Sequence, residues 1–285
     1  TEAIAETWAV DPAQIWLSPG GDGSLDFLAR AMLDPGDGVL VPEPGFAYYE
    51  MSARFHHGTV GQYPITAEDG FALEPETVLD SYDGERIVYL TSPHNPTGRR
   101  FTLDAIREIG DRTDYETLLI VDEAYGEFAD AESARILLEE REDVAVLRTF
   151  SKAYGLAGLR LGYAVVPGEW ADAYARVNTP FAASEIACRA GLAALEDETH
   201  VEKTVETVVW AREYIYENLD CRTWESAGNF VLCAVGDGSE IAAEAQREGI
   251  IVRDTTSFGL PECIRITCGT REETKRAVEV LNSLL

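Results

Sequence analysis

The sequence predicts an α/β protein. A three-layer α/β/α unit surrounds a mostly parallel sheet, and a smaller α+β unit follows at the C-terminal end. Three observations carry this expectation. Short β-rich runs alternate with amphipathic helical patterns over most of the chain. The runs at Leu118–Val121 and Val144–Leu147 are apolar throughout, as strands covered on both faces are. From about Ala182 the rhythm changes to long helical patterns, followed by strand, helix and strand.

In order, Glu2 to Val10 is an amphipathic helical pattern and Ile15–Leu17 a strand. The chain opens inside that first helix and without methionine, so a natural beginning upstream is expected. Strands follow at Gly38–Val41, Arg86–Thr91, Thr117–Val121, Val144–Thr149 and Leu161–Val166. Helical patterns lie between them at Ser24–Leu33, Phe46–Phe55, Leu103–Asp111 and Ser133–Glu140. A long helical stretch from Ala182 to Leu219 is expected to break near Glu196–Thr199. The remainder predicts strands at Asn229–Val235, Ile250–Val252 and Cys263–Cys268, and a helix at Ser239–Glu248. The last helix, Thr270–Leu285, opens with a capping box formed by Thr270 and Glu273. The predicted division is a large domain over 1–195 and a small one over 196–285.

The 285 residues are 46% hydrophobic, too many for a disordered chain. The formal net charge of −28 argues against nucleic-acid binding and against docking on anionic lipid. Lys152, Lys203 and Lys275 are the only lysines among 23 basic residues. Acid excess with so little lysine suggests a halophilic surface, whose self-repulsion salt would screen. No apolar run is long enough to span a membrane and no leader opens the chain, so a cytoplasmic protein is expected. Five cysteines without CxxC spacing and four histidines without HExxH predict free thiols and no metal site.

Open parallel sheets bind ligands beyond the carboxyl ends of their strands. Lys152 follows the run Val144–Leu147, in Thr-Phe-Ser-Lys-Ala-Tyr-Gly-Leu-Ala-Gly-Leu-Arg. There it reads either as a desolvated amine able to form a Schiff base or as a loop lysine paired with an acid. Asp122 ends an apolar strand in Val-Asp-Glu-Ala-Tyr and needs a partner. A protonated pyridine nitrogen would serve, with Tyr125 donating to a ring oxygen; a plain helix N-cap is the alternative. Ser-Pro-His-Asn-Pro-Thr-Gly, residues 92–98, is a rigid turn that leaves the Asn95 amide free for a ligand. Gly20-Gly21-Asp22-Gly23-Ser24 stands between strand and helix, where backbone amides can cradle a phosphate, and Arg160 could add a bidentate contact.

The Asn-Pro-Thr-Gly turn, the Asp-Glu-Ala-Tyr strand end and the Ser-Lys…Arg segment occur in this order. Together they resemble fold-type I aminotransferases of classes I and II, which use pyridoxal 5'-phosphate. More narrowly, residues 149–160 and Ile-Arg-Ile-Thr-Cys-Gly-Thr, residues 264–270, resemble the histidinol-phosphate branch of that family. The resemblance implies the pyridoxal-phosphate transferase fold and a homodimer. It implies histidinol phosphate and glutamate or 2-oxoglutarate as substrates, in histidine biosynthesis. It makes Lys152 the Schiff-base residue and proton shuttle, with Asp122 on the pyridine nitrogen and Asn95 and Tyr125 on the phenolic oxygen. Phe46 would stack on the ring. Gly21, Asp22 and Gly23, with Thr149, Ser151 and Arg160, would hold the phosphate. Arg265 would take a substrate carboxylate and Arg253 a second substrate anion; a salt bridge with Asp254 or another surface acid is the alternative for Arg253. Relatives carry a further N-terminal arm with a tyrosine that reaches the partner's cofactor, which this sequence does not supply. A threonine-phosphate decarboxylase of the same fold, or a cofactor-binding chain without turnover, are the alternatives.

Overall fold

The structure, a computed structural model, describes residues 1–285, with Glu198 described by its backbone alone. Seven strands form the main sheet: β1 (Ile15–Ser18), β2 (Gly38–Glu43), β3 (Thr59–Pro64), β4 (Ile87–Thr91), β5 (Leu118–Asp122), β6 (Val144–Thr149) and β7 (Gly162–Val165). Their order is β1-β7-β6-β5-β4-β2-β3. From β3 to β6 all neighbours are parallel, while β7 runs antiparallel to both β6 and β1.

Strand side chains alternate between faces, so each central strand feeds two cores. Leu118 and Ile120 of β5 pack with Leu25, Leu28 and Tyr49, which come from α2 (Gly21–Met32) and α3 (Tyr48–Phe55). Leu119 and Val121 pack on the other face with Ile106 and Ile109 of α5 (Leu103–Arg112). The helical layers also include α1 (Glu2–Trp8), the short α4 (Pro75–Leu79), α6 (Ala171–Val177) and α7 (Glu185–Glu196).

A second sheet is antiparallel, in the order β10-β11-β9-β8. Its strands are β8 (Arg222–Thr223), β9 (Phe230–Ala234), β10 (Arg253–Asp254) and β11 (Cys263–Thr267). Around it lie α8 (Glu198–Asn218), α9 (Gly238–Arg247) and α10 (Arg271–Leu284). Ile215, Val231, Ile264, Val278 and Leu281 form their shared core. The break after Glu196 is real: Asp197 caps α8 by accepting from the His200 N–H. The capping box of Thr270 and Glu273 is present as well.

α4, α6 and β8 were not anticipated, and four further elements differ from expectation. α2 begins at Gly21, three residues early, because glycine-rich sequence hides a helix start from apolar periodicity. β3 was not anticipated; only Tyr63 of it is buried, and its pairing with β2 defines it. The segment 133–140 forms a 3₁₀ helix over Ala134–Glu139 instead of an α-helix. The strand expected at Ile250–Val252 lies at Arg253–Asp254, since cross-strand pairing with β11 is what makes it a strand.

Candidate active site

Thr91, Asp122 and Thr149 end the adjacent strands β4, β5 and β6. Each follows, two residues on, a side chain packed against α2 and α3: Tyr89, Ile120 and Leu147. The period of two therefore points all three polar residues to that same face. There they bound a cavity of about 260 Å³. Gly21, Asp22, Phe46, Asn95, Asp122, Tyr125, Thr149, Ser151, Lys152 and Arg160 all line it. Gly23, Arg253 and Arg265 do not.

Asp122 is 5% exposed. Its Oδ2 accepts from the Tyr49 hydroxyl at 2.6 Å and its Oδ1 from the Ala124 N–H at 2.9 Å. The second contact is a local turn, not an α-helix cap, because residues 126–128 continue as a short 3₁₀ helix. Burial pushes the carboxyl above the usual range, while the two donors and the Lys152 charge oppose that rise. A buried carboxylate with only neutral donors in contact is short of a cation.

Lys152 is exposed at the cavity mouth, which corrects the expectation of a desolvated amine. Its Nζ stands 5.1 Å from the centre of the Tyr125 ring. Among the described residues it has no salt-bridge partner, so it is not the acid-paired loop lysine of the alternative. Tyr125 is buried edge-on against Phe230, with ring centres 5.0 Å apart. Asn95 is not wholly free: Arg265 donates to its Oδ1. The turn that carries Asn95 is anchored by buried His94, whose ring bonds Thr97 at 2.8 Å and the Pro44 carbonyl at 2.9 Å.

At the other end of the cavity α2 begins with no side chain capping its first turn, which leaves backbone amides unpaired. Gly20 has φ 82°, and a Cβ there would run into the Arg160 guanidinium. Glycine thus permits Arg160 to lie against the helix start, where it pairs with Asp22 at 3.1 Å. The Ser151 N–H donates to the Thr149 hydroxyl at 3.1 Å, and the two hydroxyls lie 3.0 Å apart. Amides, hydroxyls and a guanidinium make a donor set suited to a phosphate monoester. Phe46 precedes α3 instead of lying on it, and its half-buried ring stands edge-on to Tyr49 at 5.6 Å.

Arg265 and Arg253 are paired across β11 and β10, so their side chains share one face. Arg265 stacks on Phe230 at 4.8 Å, and its Nε has no partner. Burial lowers its pKa, and the Arg253 charge adds to that. Arg253 is exposed and donates to Ser257 at 3.1 Å. Asp254 instead accepts from Ser239 and Thr256, so the structure does not form the alternative bridge. Tyr49 and Thr91 were missed in the sequence. The signal for Tyr49 was its place three residues after Phe46, in Pro-Gly-Phe-Ala-Tyr-Tyr.

The profile of the family described as aminotransferase class I and II matches residues 1–281. The chain belongs to the class I and II aminotransferases. A histidinol-phosphate aminotransferase from Natronomonas pharaonis is 75% identical over 99% of this chain and 79% of that protein. One from Haloarcula marismortui is 67% identical over 100% of this chain and 79% of that protein. Among solved aminotransferases, histidinol-phosphate aminotransferase from Sinorhizobium meliloti, in complex with pyridoxal-5'-phosphate, superposes with a TM-score of 0.88 at 28% identity, covering 100% of this chain and 81% of that one. Aspartate aminotransferase from Thermus thermophilus with maleate gives 0.87 at 27% identity, over 100% and 81%. The aminotransferase fold is thus common to enzymes named for different substrates, and the sequence relatives carry the finer distinction.

Proposed function

We propose that this protein is a pyridoxal-phosphate-dependent transaminase of histidine biosynthesis. It moves an amino group from glutamate to imidazole-acetol phosphate, giving histidinol phosphate and 2-oxoglutarate, and runs in reverse as well. The relatives named above support the substrate. The observation that carries the cofactor is Asp122: a buried carboxylate with neutral donors only, on the wall of a cavity that also holds an unpaired lysine and a helix start.

The residues present fit the cofactor. Asp122 supplies the anion for a pyridine nitrogen, and Asn95 and Tyr125 would bind the phenolic oxygen. Phe46, on the cavity wall, would stack on the ring. Gly21, Asp22, Thr149, Ser151 and Arg160 would hold the phosphate, with Gly23 joining them through its backbone in the first turn of α2. When bound, pyridoxal phosphate supplies a carbonyl carbon and an electron-withdrawing ring. Lys152 would hold the cofactor, and its amine, once released, would move a proton at the substrate Cα. Arg265 orients the carboxylate of glutamate, and Arg253 joins it on a phosphate-bearing substrate.

A second sheet with a cluster of its own supports the division into domains 1–195 and 196–285, and a further cluster packs its Leu232 and Cys263 against Leu119 and Val121 of the first sheet. We place the enzyme in the cytoplasm as a homodimer. Phe181 at 96% exposure and Ile186 at 72% support a self-association face before and along α7. The acidic, lysine-poor composition supports a high-salt interior.

The test incubates purified protein with pyridoxal phosphate, histidinol phosphate and 2-oxoglutarate, and measures glutamate. Carbon dioxide release from threonine phosphate, without glutamate formation, would replace this reading with the decarboxylase one.

A further inference from the structure

Tyr49 does more than fill space beside the cavity. It is 1% exposed and lies in the first turn of α3. Its ring stacks on Tyr89 with centres 4.6 Å apart and planes 15° from parallel. That packing, with Phe46 edge-on, leaves the ring little room to turn. Its hydroxyl lies 2.6 Å from Asp122 Oδ2 and 2.8 Å from Thr91 Oγ1. Burial and the Asp122 charge push the phenol pKa well up, so the hydroxyl keeps its proton. It donates to the carboxylate, and the remaining contact must then be Thr91 donating to Tyr49. Thr91 and Asp122 are register partners on β4 and β5, so the parallel pairing fixes both ends of this relay.

We propose that Tyr49 is a positioning residue: through the relay from Thr91 it holds the Asp122 carboxylate, ionised and oriented, for the pyridine nitrogen of the bound cofactor. This rests on the proposed function and deepens it. Asp122 has two oxygens and the chain engages both, Oδ1 through Ala124 N–H and Oδ2 through Tyr49. Only the Tyr49 contact comes from another element, so it ties the aromatic wall of the cavity to its carboxylate. The other charges acting on Asp122 are Lys152, which favours the ionised form, and Asp22, which opposes it. Neither changes when Tyr49 is replaced.

The test compares wild type with Tyr49→Phe, which keeps the stacked ring and removes only the hydroxyl, and with Thr91→Val, which removes the outer donor. The first readout is the titration of Asp122 in the cofactor-free protein, followed by its carboxyl infrared band and assigned with Asp122→Asn. Losing a donor to the carboxylate should raise the Asp122 pKa by about one to two units in Tyr49→Phe. Thr91→Val should raise it less. The second readout is the chemical shift of ¹⁵N-labelled pyridoxal phosphate at its ring nitrogen. In Tyr49→Phe it should move toward the unprotonated pyridine value. Equal Asp122 titration in wild type and both variants overturns the inference while leaving the function untouched. Failure of wild type to bind the labelled cofactor overturns the function and the inference together. Should Tyr49→Phe not fold, the Thr91→Val titration decides.

Discussion

Replacing Arg253 with alanine should separate the two substrates. Arg253 faces Arg265 directly across β10 and β11, and like charges placed so repel in the empty protein. An anion bound between them relieves that repulsion and gains a charge-assisted contact from each. Such a contact contributes about 1.5–3 kcal/mol, or roughly ten- to a hundred-fold in rate or affinity. Arg253 is exposed, so solvent screening places its effect toward the tenfold end. Arg265 is half-buried with an unpartnered Nε, and its loss belongs toward the hundredfold end. Arg253→Ala should therefore slow the half-reaction with histidinol phosphate by roughly tenfold or more and leave the glutamate half-reaction much less affected. Arg265→Ala should slow both. The ligand-free Arg253→Ala protein should be no less stable than wild type, because a repulsion of about 0.2–1 kcal/mol is removed. Single-turnover cofactor absorbance, recorded with each amino donor alone, measures the rates, and thermal unfolding measures the stability. Equal losses in both half-reactions, or a clearly destabilised ligand-free variant, would refute the reasoning by making Arg253 a structural residue.

Borohydride reduction of the cofactor-loaded protein should label Lys152 alone; a label on Lys203 or Lys275 in a peptide map would overturn its assignment. Asp122→Asn should melt no lower than wild type without cofactor, since a buried charge is removed. The same variant should lose turnover by roughly a hundred- to a few thousand-fold, the factor for about 3–5 kcal/mol when one partner of a buried ion pair is lost; near-normal glutamate formation would exclude its role. Burial pushes the His94 pKa down to about 4, from an unfolded value near 6.5. The unfolded chain therefore takes up a proton that the folded one refuses, so this contribution is full above about pH 6.5 and lost as pH falls toward 4. Denaturant unfolding should show about 2 kcal/mol of it lost between about pH 7 and pH 5. His94→Gln should lack that part of the slope; an unchanged slope would show that another group titrates.

Much of the site was legible because strand ends are readable. Apolar runs show where β5 and β6 stop, and a polar residue at the stop, such as Asp122 or Thr149, needs a partner there. Local chemistry also marked the turn around Asn95, the glycine-rich cradle ahead of the expected helix and the capping box at Thr270. Residues whose meaning depends on pairing were different. β3 and β10 exist through neighbours far away in the chain. Cross-strand register alone set Arg253 opposite Arg265, and a distant β11 brought Arg265 to Asn95. Tyr49 read as one more aromatic on an amphipathic helix; only the packing of α3 over β4 and β5 delivers its hydroxyl to Asp122. Sequence determines what one strand or turn can present, because those preferences act over a few residues. Which presented groups meet depends on how separate elements pack, a decision that side-chain burial and backbone pairing make across the whole chain.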